Sequence, residues 1–123
     1  MAENKATPEQ IEKIRQLLLE DVSRFNGPIP IRSPETLDRL RGLLTLHDGK
    51  EGFYAAVILA AYGDSSGAEI LRHPNWQTQS GIETLHAFAA QILIGQVPPS
   101  EEIPNWQAMS PRLTAAVNEV VKW

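Results

Sequence analysis

Apolar positions recur every three and four residues along most of this chain, the spacing of one face of an α-helix. Ile11, Ile14, Leu18, Val22 and Phe25 make the first such stripe, over 8–26, with Glu12, Lys13, Glu20 and Asp21 expected to face water. Gly27-Pro28 stops that helix. Pro28-Ile29-Pro30-Ile31 reads as an extended connector, because a proline disfavours helix at the residue before it. A second helix is predicted over 34–46, with Leu37, Leu40, Leu43 and Leu44 on its buried face and His47-Asp48-Gly49 at its end. A third covers 50–62. From Phe53 to Tyr62 it reads FYAAVILAAY, apolar on every side, so no face is left for water. Gly63 to Gly67 is a turn, and Ala68 to Arg72 a short helix closed by Pro74. Ile82, Leu85, Ala89, Ile92 and Leu93, broadened by Phe88 and Ile94, mark a fifth helix over 80–94 that Gly95 stops. Pro98-Pro99 and Pro104 stiffen a linker, and Leu113, Val117, Val120 and Val121 mark a last helix from Pro111 onward.

Helix starts carry a repeated signature. Thr7-Pro8, Ser33-Pro34 and Ser110-Pro111 each place a hydroxyl before a proline. The hydroxyl can accept from an unpaired first-turn N–H, and a proline at the first helical position has no N–H to leave unpaired. Thr7 with Gln10 can close a capping box. A second echo is Pro74-Asn75-Trp76-Gln77, which recurs as Pro104-Asn105-Trp106-Gln107, each followed by a Ser that opens a helix. It reads as a shared lead-in whose Trp packs on the helix it precedes, since two copies are too few for a solenoid. The pattern predicts an all-α, single-domain irregular bundle of five to six helices spanning residues 1–123, with 1–6 disordered. The first, second and last helices are expected outside, the third and fifth inside.

Composition narrows the functional classes. The chain has 123 residues, 42% apolar and 21% charged, which is globular rather than disordered. It has no Cys, which excludes a disulfide scaffold, a thiol nucleophile and Cys-built zinc sites. The first residues lack the apolar core of a secretory signal, and the longest apolar run is about half of a membrane span. A cytoplasmic location and no membrane partner are the corresponding expectations.

Each candidate chemical motif has a plainer explanation. Gly63-Asp64-Ser65-Ser66-Gly67 matches the G-x-S-x-G nucleophile elbow, with Glu69 or Glu83 and then His86 following. That motif needs a strand before it and a helix after it, on a parallel sheet. The preceding run can be read as a strand only by itself; it is alanine-rich, and no other segment offers strands. A turn between helices explains the same letters. Glu83 and His86 form E-x-x-H and can point at one metal, but a bundle di-metal site needs a second copy. A solvated Glu83 and a half-buried His86 are the plainer expectation. His47 and His73 have no ligand-like spacing, so no metal and no cofactor are predicted. Arg24, Arg32, Arg39, Arg41 and Lys50 cluster with Glu35, Asp38 and Asp48, a local excess of only +2. A helix-turn-helix there would use FYAAVILAAY as its recognition helix, which offers base edges nothing, so nucleic acid is not the expected partner.

Charge is unevenly spread. Residues 1–50 carry eight basic and eight acidic residues; the whole net charge of −4 lies beyond them. Between His73 and Ser110 the only charged residues are Glu83, Glu101 and Glu102, and Trp76 and Trp106 lie in that stretch. Charge depletion with Trp enrichment marks an interface core. Two nearly all-apolar helices also suggest more apolar surface than one short chain covers, hence self-association or a protein ligand. The expected function is a small non-enzymatic protein-binding module of the inhibitor, immunity, adaptor or assembly-factor kind. Its contact residues would be Trp76, Gln77, Glu101, Glu102, Trp106 and Gln107, with Trp as anchor and the acidic pair steering a basic partner. Two alternatives stand beside it: an enzyme using Ser65 with His47, His73 or His86 in a cleft, and a nucleic-acid binder using Arg24–Lys50.

Overall fold

A computed structural model describes residues 6–46, 49–72, 82–96 and 110–120. The described elements are all helical: α1 (Pro8–Asn26), α2 (Pro34–Leu43), a 3-10 turn (Leu44–Leu46), α3 (Lys50–Ala61), α4 (Ala68–Leu71), α5 (Ile82–Leu93) and α6 (Pro111–Val120). Two of the hydroxyl–proline starts work as read. Thr7 Oγ1 accepts from Gln10 N at 3.1 Å while the Gln10 side chain accepts from Thr7 N at 2.9 Å. Ser33 Oγ accepts from Thr36 N at 3.1 Å. Of the tail expected to be disordered, Ala6 is among the described residues, and it packs against the core.

Helix α3 forms the centre. Every residue from Gly52 to Ala61 is buried, and the helix packs against α1, α2, α4, α5 and the 3-10 turn. Its alanines (Ala55, Ala56, Ala60, Ala61) let neighbours come close on several sides, since interaxial distance follows side-chain size. In α5 all but Glu83 and Leu93 are buried, so both apolar helices are covered by the chain's own elements. This corrects the expectation that a partner is needed to hide them.

Polar contacts between helices give the directions of packing. Lys13 pairs with Glu119 at 3.5 Å and Glu20 with Arg112 at 3.8 Å, so α1 and α6 run antiparallel. Lys50 pairs with Glu83 at 3.3 Å and Tyr54 meets His86 one turn further along both helices, so α3 and α5 run parallel. The three ion pairs among these contribute at most about 1 kcal/mol each, whereas one fully buried Leu or Phe contributes roughly 1.5–3 kcal/mol. The core therefore holds the bundle, and the pairs mark its register.

The G-x-S-x-G segment is the C-terminal stop of α3 and the bridge to α4. Gly63 adopts φ +87, with Gly63 N bonding Ala60 O at 3.0 Å and Asp64 N bonding Leu59 O at 2.8 Å, the left-handed glycine stop. Gly95 ends α5 with the same pair of bonds. Asp64 accepts from Ser66 N at 2.8 Å and from Arg41 Nε at 3.0 Å. The Ser66 bonds first, and the Arg41 bond with them, outweigh desolvation and hold the Asp64 carboxyl below the ordinary carboxylate range. Gly67 presses on α3: a Cβ there would lie 2.4 Å from Ala56 Cβ and 2.8 Å from its Cα. The run before the motif is helix, not strand, so the nucleophile-elbow context is missing.

Gly67→Ala is therefore expected to cost about 1–3 kcal/mol, because the obstacle includes backbone. Gly42→Ala, in exposed α2 with nothing within 4 Å, is expected to add about 0.5–1 kcal/mol. Urea unfolding of the two variants beside the parent measures both, and equal effects of one sign would contradict this packing.

Candidate functional site

The most structured polar cluster lies between α1, α3, α5 and α6. His86, 0% exposed, accepts or donates through both ring nitrogens: Nε2 lies 3.0 Å from Asp21 Oδ2 and Nδ1 lies 3.1 Å from the Tyr54 hydroxyl. Asp21, 6% exposed, also accepts from Arg24 Nη2 at 2.7 Å and from the hydroxyl of buried Ser110 at the start of α6. Four elements thus meet at one carboxylate–imidazole pair.

Sequence reasoning places these residues differently. Asp21 faces the core, not water. It lies seven residues past Ile14 and three past Leu18, on the apolar stripe itself, and a carboxylate there is stable only when paired. His86 is fully enclosed rather than half-buried, and Glu83 is not freely solvated but paired with Lys50. Phe25, expected on the buried stripe, is 46% exposed. Its ring lies 6.1 Å from the His86 ring, and the Arg24 guanidinium stacks 4.9 Å over it. Phe25 and Arg24 together roof the buried pair. The detectable signal was a polar residue at a stripe position: Asp21 among Ile14, Leu18 and Val22, and His86 among Ile82, Leu85 and Ala89.

The partners assign the protons. An ionised Asp21 only accepts, so Nε2 carries a hydrogen. Burial, then the negative charges of Glu83 and Asp21, push the Tyr54 phenol well above its ordinary value, so it keeps its O–H and donates to Nδ1. Burial by itself would raise the Asp21 pKa. The hydrogen bonds from His86 and Ser110, with the Arg24 charge beside the carboxylate, outweigh that and hold it below the ordinary range.

Asp–His–hydroxyl order is the order of a general-base triad. Here the hydroxyl is a buried phenol bonded to the ring, and neither of two depressions formed by described residues reaches it. Those are a groove of about 670 Å³ lined by Gln16, Leu19, Glu20, Ser23 and Ile29, and a smaller hollow beside Arg15 and Arg32. Ser65 is exposed on the turn after α3, and its letters serve that turn. His47 and His73 lie outside the described residues, as do Trp76, Gln77, Glu101, Glu102, Trp106 and Gln107. Among the described residues no group of three or more His, Asp or Glu is placed to hold a metal. Of the basic stretch, Arg24, Arg41 and Lys50 pair with Asp21, with Asp38 and Asp64, and with Glu83, and Arg32 donates to the Tyr62 carbonyl. No helix of the described residues is long and apolar enough to cross a membrane.

No family model, curated protein or solved structure matches this chain.

Tyr54→Phe removes the donor to a fully buried Nδ1 and is expected to cost about 1–3 kcal/mol. Because folding lowers the Asp21 pKa, its bonds contribute fully above the ordinary carboxylate value of about 3.9 and are lost as pH falls through the lower folded value. The stability gap between the parent and Asp21→Asn should be flat above about pH 5 and close toward acid. Urea unfolding across that range measures it, and a gap that widens on acidification would reverse the assignment.

Proposed function

We propose that the protein is a non-enzymatic protein-binding module. The observation that carries this reading is an exposed apolar edge where α1 gives way to the connector. Phe25 is 46% exposed and Ile31 86% exposed, the two large hydrophobic side chains left so open among the described residues. Ile29, between them, lines the groove with Leu19. The prolines at 28 and 30 stiffen the connector, so Ile31 is displayed with little entropy to lose on docking. An exposed aromatic ring is the kind of side chain enriched at interface cores, and the aliphatic Ile31 extends the apolar area beside the groove.

The Trp76, Gln77, Glu101, Glu102, Trp106 and Gln107 segment remains the second candidate contact surface, its acidic pair suited to a basic partner. A cytoplasmic setting and a second copy of this chain as alternate partner belong to the same reading. The enzymatic alternative has less support. Its Ser65 sits in an exposed turn, and both His86 nitrogens are already bonded inside the core. For a nucleic-acid binder, Arg24, Arg41 and Lys50 of the Arg24–Lys50 stretch are already engaged by acids.

Phe25→Ala, which removes the anchor without setting a charge against the buried pair, with Ile31→Asp is expected to abolish retention of a specific protein that the parent captures from its native host, with helix content by circular dichroism retained. Light scattering separates a second copy from a foreign partner. Capture that survives the double variant but fails in Trp76→Ala with Trp106→Ala would move the surface to the tryptophan segment. Capture that survives both would end this reading. Ser65→Ala should leave binding unaltered.

A further inference from the structure

We propose that the hollow at the C-terminal end of α3 binds the phosphoryl group of a small molecule between the guanidinium groups of Arg15 and Arg32. The hollow has a volume of about 220 Å³ and is lined by Arg15, Arg32, Ala61, Tyr62 and Gly63. That is below the roughly 300–1,000 Å³ of pockets that enclose whole ligands, so it takes one group and leaves the rest of the molecule outside.

The two arginines are held by the end of α3. Its left-handed stop satisfies the carbonyls of Leu59 and Ala60 and leaves the next two. Arg15 Nε donates to Ala61 O at 2.8 Å, and Arg32 Nε donates to Tyr62 O at 3.2 Å. The Tyr62 hydroxyl ties the connector back by donating to Pro30 O at 2.5 Å. Consecutive carbonyls therefore fix two guanidiniums side by side, one from α1 and one from the connector.

A guanidinium has five N–H donors, and these caps use one each. Arg15 spends one Nη on Glu12. Its other Nη and both Nη groups of Arg32 have no partner among the described residues. The acceptors that would compete are occupied: both carbonyls are capped, and Asp64 is held by Arg41 and Ser66. Three unused Nη groups exceed what the two oxygens of a carboxylate need and suit the three oxygens of a phosphoryl group. Arg15 shares its charge with Glu12, so Arg32 is the cation left without an acid partner there, and its planar fork suits an anionic oxygen pair. Because the forks are already immobilised, binding loses little rotamer entropy.

The test is an NMR titration of the full-length ¹⁵N-labelled protein near neutral pH with inorganic phosphate, ionic strength balanced by sodium chloride. The Nε–H signals of Arg15 and Arg32 should shift saturably, with a midpoint on the order of 1 mM. Arg32→Ala should raise the midpoint about tenfold or more, and Arg39→Ala, with the same change in net charge, should not. Arg32→Lys keeps a cation and the fold should the alanine variant unfold, yet loses the fork and is expected to weaken binding as well. A shift that stays linear overturns the site. So does equal weakening by the Arg39 variant, which would indicate bulk charge only. Acetate saturating as tightly as phosphate overturns the phosphoryl assignment.

Discussion

A helix with no solvent-facing side must be covered all round, and both of its ends must be satisfied by other parts of the chain. Helix α3 imposes that constraint here, and much of the remaining sequence answers it. Its alanines admit close neighbours, Gly67 lets the outgoing chain lie against Ala56, and the last carbonyls are capped by a glycine stop and two arginines. A fully buried carbonyl left open would cost about 1–3 kcal/mol; the Ala61 carbonyl is part-buried and the Tyr62 carbonyl exposed, so the arginine caps contribute less than that. Arginine suits the task because a guanidinium donates to a carbonyl with one nitrogen while its charge sits at the negative end of the helix dipole.

The same economy of polar groups explains the Asp21–His86–Tyr54 cluster. A carboxylate on the apolar stripe of α1 would be intolerable alone. It is matched from α5 by His86, from α6 by Ser110 and at the surface by Arg24, and the imidazole is matched in turn from α3 by Tyr54. Arg24 links the cluster to solvent, and Phe25 is left half-exposed because it covers the imidazole rather than joining the core.

What the letters disclose follows from whether a signal is local. Helix positions and starts were legible because periodicity and hydroxyl–proline caps act within one turn: the α1 start is the box predicted from Thr7 and Gln10, and α3 is as buried as its all-apolar face implies. The fate of a polar residue on an apolar stripe depends on residues 65 and 32 positions away, and a single stripe does not say whether such partners exist. So Asp21 read as solvated and His86 as half-buried. Coverage of two apolar helices by one chain was likewise hidden, since it depends on the parallel packing of α3 and α5 that Lys50–Glu83 and Tyr54–His86 reveal. The serine motif misled because glycine, aspartate and serine serve a left-handed helix stop as well as a catalytic turn.

Parallel packing raises the question of what fixes the register of α5. Its buried residues are mostly apolar, Leu85, Ala87, Phe88, Ala89, Ala90 and Ile92 beside the polar Thr84, His86 and Gln91, and at those apolar positions a slide of one turn would largely exchange apolar groups for apolar groups. Apolar contact is non-directional and discriminates weakly between such arrangements. The slide would, however, strand the Asp21 carboxylate, the Tyr54 hydroxyl and the His86 nitrogens in the core, at about 1–3 kcal/mol for each group left unpaired. Our hypothesis is that the cluster, rather than the oily faces around it, selects one register, as a single buried polar pair does in coiled coils. An apolar triple replacement at 21, 54 and 86 would then hold its stability yet lose the sharp, dispersed NMR spectrum of a single packing. A well-dispersed spectrum from that variant would show that side-chain shape alone sets the register.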